Sequence, residues 1–183
     1  MKFVELLIVM DRLVIRAPTH TDMDDICAAM DESRIELQKW MAWASPWPDI
    51  EQRRQSIRQS IDSFYTNTRH KRFGCFARDT GRFVVSLGCT IMADNKFHVS
   101  YWARTPETGK GYTTEAVRAF VRYLFNDLRA VEINSGHEVG NMASARVLEK
   151  CGFVYQGDIE NIIAPGRVRH EKIYAIKAIE NGA

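Results

Sequence analysis

Positions 105–115 read Thr-Pro-Glu-Thr-Gly-Lys-Gly-Tyr-Thr-Thr-Glu, a glycine-bearing loop between a strand-like and a helix-like segment. Gly109 and Gly111 remove side chains where the backbone must turn or touch a ligand. The amides from Gly109 to Thr114 lead into a helix N-terminus, which favours negative charge. Such a loop can cradle a pyrophosphate; the same glycine pair also serves plain turn chemistry. It is neither a Gly-Lys-Ser/Thr phosphate loop nor the G-x-G-x-x-G of dinucleotide folds. Around this junction the C-terminal half alternates as strand, loop, helix, strand, helix, strand, strand, so the chain reads as α/β around a mixed sheet.

The helix after the loop, Thr113 to Leu128, carries Ala116, Ala119, Phe120, Tyr123 and Leu124 on one face. A short strand from Val131 to Asn134 follows, then a helix from Met142 to Cys151 stopped by Gly152, where a left-handed cap is expected. Phe153 to Ile163, a turn at Pro165-Gly166 and Val168 to Ile179 form a closing hairpin. Upstream, Arg12 to Ala17 is a first strand ended by Pro18. Met23, Ile26, Cys27 and Met30 then share one face of a helix that Thr21 can cap. Ser33-Arg-Ile-Glu36 has capping-box form and opens a short helix with Leu37, Trp40 and Met41. Trp43, Pro46, Trp47 and Pro48 cannot stay helical. Ile50 to Phe64 is an amphipathic surface helix with Arg53, Arg54 and Arg58 among its polar positions. Phe73 to Ala77 and Phe83 to Ile91 flank the Arg78–Gly81 turn as a hairpin, and Phe97 to Ala103 extends it into an antiparallel meander.

At 183 residues the chain makes one domain, read as an N-terminal extension over 1–11 followed by the domain over 12–183. Met1 to Met10 is apolar, but Glu5 interrupts it and the run is about half the length a spanning helix needs. Asp11-Arg12 follows at once, with no small-residue cleavage site. The segment is an extra strand or the product of an upstream start codon. Lys and Arg total 25 against 23 acidic residues, so nothing in the balance draws the chain to nucleic acid or an anionic membrane. Cys27, Cys75, Cys89 and Cys151 stand apart, without the spacing of a metal site or a disulfide framework. The expectation is a cytoplasmic protein with reduced thiols and no metal, monomeric or homodimeric.

Tyr101-Trp102 ends a strand, the Gly109/Gly111 loop opens a helix with Glu115-Ala116, and after the next strand comes Asn141-x-x-Ser144-Ala-Arg-Val-Leu-Glu-Lys-x-Gly152-Phe153. This order resembles the GNAT superfamily of acetyl-CoA-dependent N-acetyltransferases, and within it the ribosomal-protein serine/alanine N-acetyltransferase branch. The likeness runs from Arg12 to Ile179 and is most specific in the C-terminal half. It implies one domain on a mixed, mostly antiparallel sheet of about seven strands flanked by helices. Two neighbouring parallel strands, here 97–103 and 131–134, are then splayed to admit the pantetheine arm of acetyl-CoA. The resemblance implies cofactor contacts from Tyr101, Trp102 and Ala103, from Thr108, Gly109, Lys110, Gly111, Tyr112, Thr113 and Thr114, and from Asn141 and Ser144. The family usually has Gln or Arg where Thr108 stands and Gly or Ala where Thr113 stands; backbone amides supply most of the pyrophosphate contact.

Acetyl transfer needs a neutral amine, a polarised carbonyl and a proton for the departing thiolate. By the resemblance Ser144 supplies that proton and Asn141 touches the cofactor arm; both residue types also suit a helix cap before Met142. The strand after Gly152-Phe153 carries a glutamate base in close relatives. Ile163 occupies the aligned position here, and Glu160, three residues earlier, falls on the opposite face of an alternating strand. His98 and a water relay are the other routes for the amine's proton; Tyr174 matches a common tyrosine of the branch and is a further catalytic candidate, lining the acceptor site or packing in the core. Trp43 and Trp47, flanked by prolines, suit a lip for a peptide acceptor, whereas Trp40 reads as core. The arginine-rich helix face either attracts an acidic protein or is solvated. No cysteine adjoins a histidine in the sequence, which favours direct attack in a ternary complex over a covalent relay. The expected acceptor is a protein N-terminal α-amine. A small cationic amine held by Asp24, Asp25, Asp31, Glu32 or Glu36 is one alternative, and a non-catalytic acyl-CoA sensor is another.

Overall fold

The computed structural model describes residues 7–67, 69–164 and 167–178. The expected Pro165-Gly166 turn and Ile179 lie outside the described residues. The strands are β1 (Leu7–Val9), β2 (Leu13–Arg16), β3 (His70–Ala77), β4 (Phe83–Ile91), β5 (Lys96–Ala103), β6 (Glu132–Glu138), β7 (Val154–Ala164) and β8 (Arg167–Lys177). The helices are α1 (Met23–Glu32), α2 (Arg34–Trp40), α3 (Ile50–Asp62), α4 (Tyr112–Asn126) and α5 (Met142–Lys150). All eight strands form one sheet in the order β1-β2-β3-β4-β5-β6-β8-β7. Every neighbouring pair is antiparallel except β5 and β6.

Strand alternation gives the central strands two faces. One face sends Phe73, Leu87, Phe97 and Val99 into the main core, which Phe120 and Leu124 of α4 and Leu148 of α5 complete. On the other face, Ile26 and Met30 of α1, Leu37 of α2 and Ile57 of α3 form a smaller core with Phe76 and Phe83. Each of these large side chains contributes on the order of 1.5–3 kcal/mol by leaving water. A β-bulge beside Cys75 makes the switch possible: Cys75 pairs with Val85 and Phe76 with Phe83, leaving Val84 as the extra residue. Arg104, buried just past β5, pairs with Asp25 at 2.6 Å and Glu32 at 2.5 Å and so ties α1 over the end of that strand.

The structure differs from the sequence reading at several places. The apolar extension supplies β1, paired antiparallel with β2, which brings the sheet to eight strands. β3 starts at His70 and β6 runs on to Glu138, because the polar residues at those ends leave no apolar period to read. Thr21 does not cap α1: a turn closed by the Thr19 N–H donating to Asp22 at 2.7 Å precedes it. Ser33 interrupts α1 and α2 without capping, since its hydroxyl accepts the Thr105 N–H at 2.9 Å. Trp40 is half-buried rather than core, its Nε1–H donating to Glu36 at 3.1 Å.

Candidate active site

β5 and β6 pair at only three positions, Lys96–Glu132, Phe97–Ile133 and His98–Asn134. Beyond them β5 runs on to Ala103 along β4, and β6 runs on to Glu138 along β8. The sheet therefore opens between Ser100–Ala103 and Ser135–Glu138, and backbone groups that a ladder would satisfy face the gap. His98 Nδ1 lies 2.7 Å from Asn134 Oδ1 at the last paired register, at the root of the opening.

Beside the mouth of this gap stands the glycine loop. Gly109 at φ +79° and Gly111 at φ +84° occupy left-handed conformations that favour glycine, and a Cβ at Gly109 would have no atom within 4 Å. The first bond entering α4 runs from the Glu115 N–H to the Gly111 carbonyl, which leaves the amides of Tyr112, Thr113 and Thr114 as the free donors of the first turn. Arg12 braces the loop from β2's side, donating to Glu115 at 2.9 Å and to the Lys110 carbonyl at 3.1 Å. Lys110 turns to Glu107 at 2.6 Å, and the Thr108 hydroxyl donates to its own turn at Thr105. An open, glycine-lined row of amides at a helix N-terminus fits a pyrophosphate.

α5 closes the same side. Asn141 accepts the Ser144 N–H at 3.1 Å, so it caps α5. The Ser144 hydroxyl sits 2.8 Å from the Tyr101 hydroxyl, joining α5 to β5 across the opening. Burial pushes the Tyr101 phenol well above its usual range, and it stays protonated at any ordinary pH. On the diverging half of β6, Ser135 Oγ and His137 Nε2 are buried without a hydrogen-bond partner among the described residues. Buried polar atoms are rarely left so. Their place on the parted strand fits an arm with amide groups lying in the gap.

On the opposite side of the sheet, α1, α3 and the Met41–Pro48 segment roof a partly open cavity of about 480 Å³, within the usual size range of ligand pockets. Its floor follows from register. Arg72 pairs with Gly88 and Gly88 with Ser100; one step along, Gly74 pairs with Ser86 and Ser86 with Trp102. His70, Thr90 and His98 make the adjoining row of the same face. Met30, Met41, Trp43 and Pro48 supply apolar wall. Partial burial first, then the charges of Arg72 and His98, hold the His70 imidazolium below its ordinary range. Sequence reading missed His70, Arg72, Ser86 and Ser100; the signal was the polar half of each strand's alternation.

The expected residues divide between these two sides and places beyond them. Tyr101, Trp102 and Ala103 edge the gap, as do Asn141 and Ser144, with the loop 108–114 beside it. Trp43, 46% exposed, lines the cavity mouth. Trp47, its centroid 6.5 Å from that of Trp43, packs instead into the smaller core beside the guanidinium groups of Arg34 and Arg53. Tyr174 is buried on β8 opposite Ser135, its ring centroid 5.4 Å from that of His137. Glu160 lies on outermost β7, 71% exposed and 3.3 Å from His170. The acids of the first helices all meet donors: Asp24 with Arg54, Asp31 with Arg53, Asp25 and Glu32 with Arg104, Glu36 with Trp40. The four thiols are buried, and burial raises the pKa of each, that of Cys89 to about 12, the reverse of an activated nucleophile.

A sheet opened at one parallel pair, with a loop suited to an anion beside the gap and a cavity across it, is the arrangement that an acyl-CoA-using N-acyltransferase requires. The sequence matches the acetyltransferase (GNAT) domain family over residues 12–154, and the chain belongs to that family of acetyl-CoA-dependent N-acetyltransferases. It is 30% identical over 141 residues to a Bacillus subtilis protein named probable N-acetyltransferase YjcK, covering 75% of this chain and 77% of that one. The fold is shared with RimL, a ribosomal L7/L12 alpha-N-protein acetyltransferase solved in complex with coenzyme A, at TM-score 0.83 and 16% identity over 94% of this chain and 98% of that one. A ribosomal-protein-S5-alanine acetyltransferase from Vibrio fischeri superposes at TM-score 0.81 and 17% identity over 98% of this chain and all, 100%, of that one. Family membership makes the chain an acetyl-CoA-dependent acyltransferase. No described helix is long and apolar enough to cross a membrane, and no metal-binding cluster occurs among the described residues.

Proposed function

We propose that this enzyme acetylates a protein N-terminal α-amine, of the ribosomal-protein kind, by direct attack within a ternary complex in the cytoplasm, with residues 12–183 as its catalytic domain. The observation that carries the reading is the opening between β5 and β6, which puts a loop suited to pyrophosphate beside the gap and a partly open cavity across it. Two structural neighbours are named for acetylating ribosomal proteins, L7/L12 at an alpha-N position and S5 at an alanine, and Trp43 offers an aromatic lip at the cavity mouth.

Bound acetyl-CoA supplies an activated acetyl group whose leaving group is a thiolate. The amides from Gly109 to Thr114 bind its pyrophosphate, while Tyr101 to Ala103 align the arm by backbone hydrogen bonds. Ser144 holds a proton at Oγ for the thiolate, with the Tyr101 hydroxyl as the next donor in line. The acceptor amine must arrive neutral. The Arg72 charge and the apolar walls both disfavour an ammonium in the cavity. Its proton leaves on the cavity side, where His98 and His70 share a face and water can enter; Glu160 on the outer strand and Tyr174 in the core are assigned no step. A small polycation is the weaker reading, because every acid that would hold it already has a partner.

Calorimetric titration with acetyl-CoA, followed by thiol release against N-terminal peptides and small amines, tests the reading. Binding with peptide-dependent release is expected. Release with small amines alone would overturn the choice of acceptor.

A further inference from the structure

We infer that the acceptor carries an anionic group, a carboxylate, close to its reactive amine, and that Arg72 receives it. The inference rests on the cavity being the acceptor site, as proposed above, and names the substrate class.

Arg72 lines the cavity, partly buried, with desolvation acting on its guanidinium. Among the described residues it has neither a carboxylate nor a hydrogen-bond acceptor. Other arginines differ: Arg53, which also lines the cavity, pairs with Asp31 at 2.7 Å, Arg54 with Asp24 at 2.6 Å, and Arg104 with two acids. No aspartate or glutamate is among the described residues lining the cavity. A guanidinium withdrawn from water without a counter-charge is costly, and its planar fork matches a carboxylate in a bidentate pair.

The floor beside Arg72 is polar and, among the described residues, carries no competing acid. Gly88 is its register partner, and the Ser100 hydroxyl lies over it, 2.4 Å from where a Cβ would stand, so any side chain at 88 would displace that hydroxyl. Ser86 and Ser100 bring hydroxyls to the same patch. Arg72 lies on β3, two strands from β5, which separates their backbones by roughly 10 Å. The amine at the gap and the anion at Arg72 therefore belong to one short unit, such as the first two or three residues of a peptide or a single amino acid.

The test pairs acceptors that differ only in charge. Amidated peptides with Glu or Gln at position two or three, and free amino acids against their carboxamides, are assayed for acetyl transfer. Their binding to the CoA-loaded protein is measured by calorimetry. In at least one series the carboxylate member should show a KM and Kd about tenfold or more below its carboxamide partner. Arg72→Gln should bring that ratio to about one, and Arg72→Lys should keep part of it. Equal handling of each pair by the unmodified protein, failure of every acceptor to bind, or a ratio that survives Arg72→Gln would overturn the anion site. Peptides acetylated regardless of charge, with no preference among the free amino acids, would do so while leaving the N-terminal reading intact. Carboxylate-selective acetylation of free amino acids alone would keep the anion site and overturn the N-terminal reading.

Discussion

The same three strands, β3, β4 and β5, present two unlike faces. Toward α4 and α5 they offer Phe73, Leu87, Cys89, Phe97 and Val99, all fully buried. Toward α1 and α3 they offer Arg72, Gly88 and Ser100 in one row, with His70, Ser86 and Trp102 close by. Sheets with one sealed and one wet face are common, but here the polar face is roofed, so its groups are held in a cavity rather than dissolved in bulk water. The difference separates two jobs: the sealed face fixes the geometry of the opening, and the polar face can vary its side chains without dissolving the core.

That separation can be broken in graded steps. Phe120→Ala, on the sealed side, should cost about 3–5 kcal/mol through lost burial and the cavity it leaves, read as a lower denaturation midpoint with acceptor KM unchanged in the protein that remains folded. Gly111→Asp combines roughly 1–2 kcal/mol of left-handed strain with an anion set against the pyrophosphate. The strain is carried by free and bound protein alike and lowers stability, whereas the misplaced anion should cut CoA affinity about a hundredfold by calorimetry, with the fold retained by circular dichroism. Ser144→Ala should lower kcat by about a hundredfold while the CoA Kd stays within about twofold. Normal turnover in that variant would remove Ser144 from the proton path. Gly88→Ala is the mildest step. Its Cβ, 2.4 Å from Ser100 Oγ, makes the serine shift, and at about 1 kcal/mol of overpacking the acceptor KM should rise about fivefold with CoA binding untouched. An equal loss of CoA binding would mean that the two faces are not independent.

The sealed side was the more legible in the sequence. Apolar residues at helical spacing marked α4, the Gly152 stop marked the end of α5, and Gly109 and Gly111 marked the loop, because left-handed backbone selects glycine almost alone. The polar face was hidden for a physical reason. Arg72, Gly88 and Ser100 lie far apart in the chain and meet only through strand register, which no local pattern states. Ion pairing was equally invisible: Asp25 and Glu32 look available on the first helix, yet Arg104, more than 70 residues later, holds both. Glu160 was drawn in by its place after Gly152-Phe153, and the sheet order carries it outward to β7.

The most direct test of the two-sided arrangement is amide hydrogen exchange of the whole protein with and without acetyl-CoA. Protection is predicted at 109–115 of the loop and α4, at 100–103 of β5, and at 135–144 from the parted half of β6 into α5, with β3 unchanged. Protection confined to the cavity roof at 41–57, or to the β7–β8 hairpin, would place the cofactor elsewhere and contradict the division of the site between the opening and the polar face.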